Sequence, residues 1–293
     1  MSRILLVGRT GQVGSELLTT LAPLGTIVAP SRAELDLAHS DAIAATVRDA
    51  RPEIIVNAAA YTDVERAEDE REAAFNANAT APGILAEEAA RCGALLVHYS
   101  TDYVFDGTKA GAYDEDDPVA PLNVYGESKL AGEQAVAASG ARHLILRLSW
   151  VYGLRGANFP LKILAAARSR DELRVVCDQT GAPTWSRDIA TATAAVLTRM
   201  QAGSFPDRIL LHAPALGSTS WYGFAEALFD AAPLALLPRR PRLVPVTAAE
   251  YGAKAPRPRN SRLSADQLAA TFGLRLPHWR DGLRRWAVLA GTA

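Results

Sequence analysis

Tyr125 and Lys129 stand four residues apart, a spacing that puts two side chains on one helix face with about 5–6 Å between their Cβ atoms. At that range an ammonium favours phenolate over phenol, which makes tyrosine a stronger acid. The ordinary tyrosine pKa is about 10, so reaching neutrality takes roughly three units, or about 4 kcal/mol. The same chain carries Gly8-x-x-Gly11-x-x-Gly14 directly after its first apolar run. Without Cβ atoms, such a turn lets the backbone approach a pyrophosphate whose charge meets a helix N-terminus. Between the two motifs lies Ser100-Thr101-Asp102, where the Thr101 hydroxyl can hold a carbonyl oxygen. A nucleotide cradle and a tuned proton donor in one chain point to nicotinamide-dependent carbonyl chemistry, with hydride going to carbon and the phenolic proton to oxygen.

These residues must be brought together by the elements around them. Short apolar runs at Ile4–Val7, Thr26–Ala29, Ile54–Asn57, Ala94–Tyr99 and His143–Leu148 alternate with helical patterns over Gln12–Ala22, Asp41–Ala50, Glu65–Cys92 and Val124–Ser139. That alternation predicts an α/β fold with a doubly wound parallel sheet, whose ligands bind beyond the carboxyl ends of the strands. The glycine turn, Asn57–Thr62 and Ser100-Thr101-Asp102 all fall at such ends. Beyond Trp150 the pattern changes: Leu161–Arg168 and Asp188–Met200 read as helices with Leu173–Val176 extended between them, followed by a Pro- and Arg-rich stretch from Pro233 to Arg262. The expected division is a dinucleotide-binding domain over 1–156, rejoined by about 173–213, and a smaller α/β substrate-binding lobe over 214–293 with 157–172.

The end of the second strand selects the nicotinamide. An acid there binds a ribose 2′-hydroxyl, whereas Arg accommodates a 2′-phosphate. Here it reads Pro30-Ser31-Arg32, with Asp36 slightly later, which favours NADPH and leaves NADH open.

Composition excludes several classes. A net charge of −1 gives no reason to expect nucleic acid or a membrane surface as partner. No run approaches the ~20 apolar residues of a membrane span, and the first apolar run breaks too early for a secretory leader. A cytoplasmic location is expected. Cys92 and Cys177 lie far apart in no metal-like spacing and are expected to be buried free thiols. The chain is long enough for two domains, and a homodimer is one assembly it allows.

Taken together, the strings Gly8–Gly14, Asn57–Thr62, His98–Phe105, Pro121–Gly132, Ser149–Gly153, Asp178–Thr184 and Arg257–Leu263 resemble the extended short-chain dehydrogenase/reductase family over essentially the whole chain. Within it they resemble enzymes that transfer hydride from NADPH to the 4-keto group of a dTDP-linked 6-deoxyhexose. By matching positions, the resemblance implies that Gly11, Gln12 and Val13 cradle the pyrophosphate, with Gly8 and Gly14 completing the turn. Ser31, Arg32, Asp36 and Leu37 would surround the adenosine half. Ala60, Tyr61, Thr62 and Tyr99 would line the cofactor groove. Tyr125 becomes the proton donor, Lys129 its partner and ribose anchor, and Thr101 the hydroxyl polarising the ketone. Asp102 and Trp150 would face the sugar, and Arg257, Arg259 and Asn260 its nucleotide side. Some relatives join two copies through carboxylates and a metal, and Glu16 matches one such ligand. Arg187 stands where another acid would be, so no metal is expected. Two other readings compete. A sugar-nucleotide dehydratase would need Thr-Asp-Glu where this chain has Thr101-Asp102-Tyr103, and an epimerase would retain its dinucleotide. A non-catalytic NADP-binding regulatory subunit would not need the full Thr101, Tyr125 and Lys129 set.

Overall fold

Six strands pair side by side in parallel: β1 (Ser2–Val7), β2 (Gly25–Val28), β3 (Ile54–Asn57), β4 (Leu95–Thr101), β5 (Arg142–Leu148) and β6 (Arg208–His212). The computed structural model describes residues 2–292. The spatial order is β6-β5-β4-β3-β1-β2, so the chain winds outward from β1 in both directions. The central strands are largely apolar because their side chains alternate between two cores. Ile4, Leu6, Ile54, Val56, Val97, Leu144 and Leu146 enter one, beneath α1 (Gln12–Thr20) and α5 (Ser186–Ala202). Leu5, Val7, Ile55, Leu96 and Ile145 enter the other, beneath α2 (Ser40–Ala50), α3 (Ala81–Cys92) and α4 (Val124–Ala138).

Helix α4, which carries Tyr125 and Lys129, starts where Asn123 takes an extended conformation and accepts a bond from Gly126 N at 2.8 Å. This N-cap fixes the register of the helix and therefore the height of both side chains along it. The Asn123 amide also donates to Pro256 O at 2.8 Å, anchoring the helix start to the outer lobe.

The outer lobe has its own core of Tyr152, Leu164, Trp185, Phe224, Trp279 and Trp286. Two differences from the expected layout stand out. The strand Glu172–Val176 does not return to the main sheet; it pairs in parallel with Arg242–Val246. The chain rejoins the sheet through α5 and β6 instead. The Pro- and Arg-rich stretch therefore contains a strand, tolerated because Pro245 sits in a two-stranded pair with an open edge. Helix α6 (Trp221–Ala231) was not anticipated; its aromatic residues serve packing within the lobe.

Candidate active site

At the carboxyl edge of the sheet opens a cleft of about 1300 Å³ that runs from the glycine turn to Trp150 and Trp221. Gly8 has φ +88°, and a Cβ there would lie 2.5 Å from Ala59 N, so the turns after β1 and β3 touch. Gly11 caps α1 with no side-chain hydrogen bond, leaving the first-turn amides to face the cleft. Gly14 has a different role from the expected one. Its missing Cβ makes room for the Gly8 carbonyl, which would be 2.0 Å away, and it does not line the cleft.

Ser31, Arg32, Asp36 and Leu37 line the far end, joined by Arg9 and Thr10. Glu34 accepts from Ser31 N at 2.6 Å and shapes that loop. Ala60, Tyr61 and Thr62 form the middle wall, together with Tyr99. Tyr61 is held on both sides: Asn78 Oδ1 accepts from its backbone N–H at 2.8 Å, and its hydroxyl donates to Glu70 at 2.7 Å. Asn78 belongs to a π-helical turn, Asn76–Thr80, whose widened backbone carries this contact.

The buried end brings Thr101, Asp102, Tyr103, Tyr125 and Lys129 together. Thr101 Oγ1 donates to Asp102 Oδ1 at 2.9 Å and accepts from Tyr103 N at 3.2 Å. Thr101 is also the one neighbour that draws the Tyr125 phenol down. Burial pushes Asp102 up to about 6, against hydrogen bonds from Ser261, Thr101 and Ser149.

The expected acidification of Tyr125 by Lys129 is also corrected. Burial pushes the phenol well above its ordinary range, opposed only by the bond to Thr101, while Asp102 and Tyr103 raise it further. Lys129 Nζ turns instead to Tyr99 O, donating at 2.6 Å, with His98 Nε2 at 3.5 Å. Burial lowers Lys129 to about 8, with Glu133 acting in the opposite direction. In the ligand-free state the tyrosine is thus a fully protonated acid and the lysine a weakened cation.

At the opposite end of the cleft from the glycine turn, Trp150 has φ +44°, a conformation that a bulky residue rarely adopts. Its indole stacks on Trp221 with centroids 3.5 Å apart and planes 4° apart. The other face lies on Gly181, where a Cβ would come within 2.3 Å of Trp150 Cε2. Arg257 and Asn260 are not part of the lining. Arg257 is ion-paired with Glu65 and bonded to Tyr103. The Asn260 amide donates to Lys109 O at 2.7 Å and Gly111 O at 2.6 Å, and its oxygen accepts from Arg262, so it ties two loops together. The exposed Arg259 supplies its carbonyl to Thr180 N at 2.8 Å.

Sequence reasoning missed Arg9, Tyr103, Trp221 and His98. Arg9 follows the first glycine directly, a signal that was available; the other three are placed only by tertiary packing. Cys92 and Cys177 are exposed, contrary to the burial expected of free thiols, because each lies at the end of an element facing solvent. Glu16 bonds Arg187 at 2.8 Å, and among the described residues no cluster of His, Cys, Asp and Glu could hold a metal ion. Nor, among them, is any helix long and apolar enough to cross a membrane.

Residues 1–289 match the family model described as the RmlD substrate binding domain. The dTDP-4-dehydrorhamnose reductase of Burkholderia thailandensis is 47% identical over 289 residues, covering 95% of each chain. The enzyme of the same name from Escherichia coli K12 is 46% identical over 292 residues, with 96% of each covered. The crystal structure of a dTDP-4-dehydrorhamnose reductase from Bacillus anthracis in complex with NADP superposes with a TM-score of 0.88 at 34% identity, covering 98% of this chain and 99% of that one.

Proposed function

The chain belongs to the RmlD substrate binding domain family, and from that membership and the cleft we propose that it reduces dTDP-4-dehydro-6-deoxy-L-mannose to dTDP-L-rhamnose with NADPH. The observation that carries this reading is the sharing of one cleft by an uncapped helix start and the Thr101, Asp102, Tyr125 and Lys129 side chains.

The residues present fit a dinucleotide. The first-turn amides of α1 have no capping side chain, and the glycine turn leaves them open to an anion. Arg9 and Arg32 lie at the adenosine end, where a 2′-phosphate needs cations. When bound, the nicotinamide supplies hydride to the carbonyl carbon. Everything else falls to the chain. Tyr125 stays protonated because burial disfavours its anion, so it enters the reaction loaded with the proton that the developing alkoxide needs. Thr101, itself fixed by Asp102 and Tyr103 N, stands in the same corner of the cleft as Tyr125. Lys129, one turn along the same helix, is the buried cation available to favour the phenolate left behind. Trp150 and Trp221 line the other end of the cleft as a stacked pair, with Gly181 against the far face of Trp150.

The test mixes purified protein with NADPH and dTDP-4-keto-6-deoxy-L-mannose and follows the loss of reduced-nicotinamide absorbance. Oxidation that requires the sugar is expected. No oxidation with active-site-competent protein, or oxidation indifferent to the sugar, would refute the reading.

A further inference from the structure

Behind Lys129, away from the cleft, lies a pair of buried polar side chains that the reduction does not use. Asn57 ends β3, and His98 sits beside it in register on β4. Both are essentially inaccessible, at 1% and 0% exposure. Asn57 Oδ1 accepts from Ala59 N at 3.2 Å. An amide N–H can bond only the oxygen of that side chain, so the Asn57 amide has one allowed orientation. Its Nδ2 then faces His98 Nδ1 at 3.2 Å. Since Nδ2 only donates, His98 Nδ1 must be the bare, accepting nitrogen. Burial and the neighbouring charges of Lys129 and His143 keep the ring neutral, which leaves its one proton on Nε2. That Nε2–H points at Lys129 Nζ, 3.5 Å away.

A donor facing an ammonium is a mismatch, whereas the same donor facing an amine meets a lone pair. We propose that His98 is a positioning residue whose imidazole, locked by Asn57 with its proton on Nε2, lowers the affinity of Lys129 for its last proton. The surroundings of Lys129 leave this role open. Tyr99 O accepts one proton at 2.6 Å. On its own helix, Glu133 is engaged by Arg147 in a buried bidentate pair, which blunts its pull. Tyr125 on the same helix is a neutral phenol. From the π-helical turn, Asn78 gives its amide to Tyr61 O and Ser128 rather than to Lys129. His143, on β5, acts on His98 rather than on the lysine. Burial by itself already lowers the proton affinity of Lys129, so the His98 contribution is read from variants rather than from the wild-type value.

The role belongs to the ligand-free protein, so its failure would leave the reductase reading intact. The experiment titrates Lys129 by NMR of protein labelled at the lysine side-chain carbons, with the signal assigned by its loss in Lys129→Met. The 15N shifts of His98 are recorded in the same samples. Wild-type His98 is expected to show a protonated Nε2 and a bare Nδ1. His98→Gln can present its Oε1 to the ammonium and is expected to raise the Lys129 pKa by about one unit, a tenfold gain in proton affinity. Asn57→Ala frees the ring to move its proton to Nδ1 and is expected to raise it in the same direction. It also serves as the test if His98→Gln does not fold. A wild-type ring protonated on Nδ1, or a Lys129 titration unmoved in a folded variant, overturns the proposal.

Discussion

The two ends of the cleft are built by opposite means. At the nucleotide end the wall is backbone: a glycine turn, an uncapped helix start and a short loop, with Gly11 and Arg32 exposed. At the sugar end the wall is side chain: Thr101, Asp102 and Lys129 are each no more than 5% exposed and joined to partners. Backbone amides hold an anion without burying charge, so that end can stay wet. The buried end gains leverage over proton affinities, because desolvation moves a pKa further than a surface neighbour does. One end is made for binding, the other for tuning.

This contrast can be broken most sharply at Tyr125. Tyr125→Phe should cut sugar-dependent turnover by on the order of 10²–10⁴ while NADPH affinity, measured by fluorescence titration, stays close to wild type. A comparable loss of affinity would mean that the two ends are not separate.

Asp102 tests whether the buried end is held against its own stability. The folded protein holds this proton more tightly than the unfolded chain, at about 6 against 3.8. Its contribution is therefore most favourable below about pH 4 and is lost as pH rises through 6. The window is worth about 3 kcal/mol as an upper bound. Asp102→Asn should raise resistance to urea at pH 7, lose that gain below about pH 4, and slow turnover. Denaturation curves at the two pH values decide it; equal effects at both would show that desolvation is not the cause.

The smallest effect is expected at the open end. Arg32→Ala should weaken NADPH roughly three- to tenfold and leave NADH nearly unchanged, since an exposed ion pair is worth little. Parallel losses for the two cofactors would remove Arg32 from the 2′-phosphate.

What was legible in the sequence follows the same divide. The strands announced themselves because β1, β3 and β4 are buried on both faces and so read as unbroken apolar runs. The glycine turn was legible because sterics at Gly8 and Gly14 admit no other residue, although only the tertiary contacts separate Gly11, which lines the cleft, from the packing Gly14. Tyr125 and Lys129 do share a helix face, but spacing carries no information about burial. Burial raised the phenol where proximity to a cation was expected to lower it. At Arg257 and Asn260 the sequence marks residues that need partners, and the structure supplies internal ones, Glu65 for Arg257 and the Lys109 carbonyl for Asn260. His98 was unreadable, since its significance depends on which hydrogen its neighbour across the strand leaves for it.

The stacked pair of indoles has a practical consequence. Trp150 continues from the end of β5, with its carbonyl accepting from Thr184 N at 3.1 Å, whereas Trp221 opens α6 in the outer lobe. Two chromophores in face-to-face register on separately anchored elements form an intrinsic optical gauge. Any sliding of the lobe across the cleft must alter their electronic coupling, so near-ultraviolet circular dichroism would report domain movement without a label.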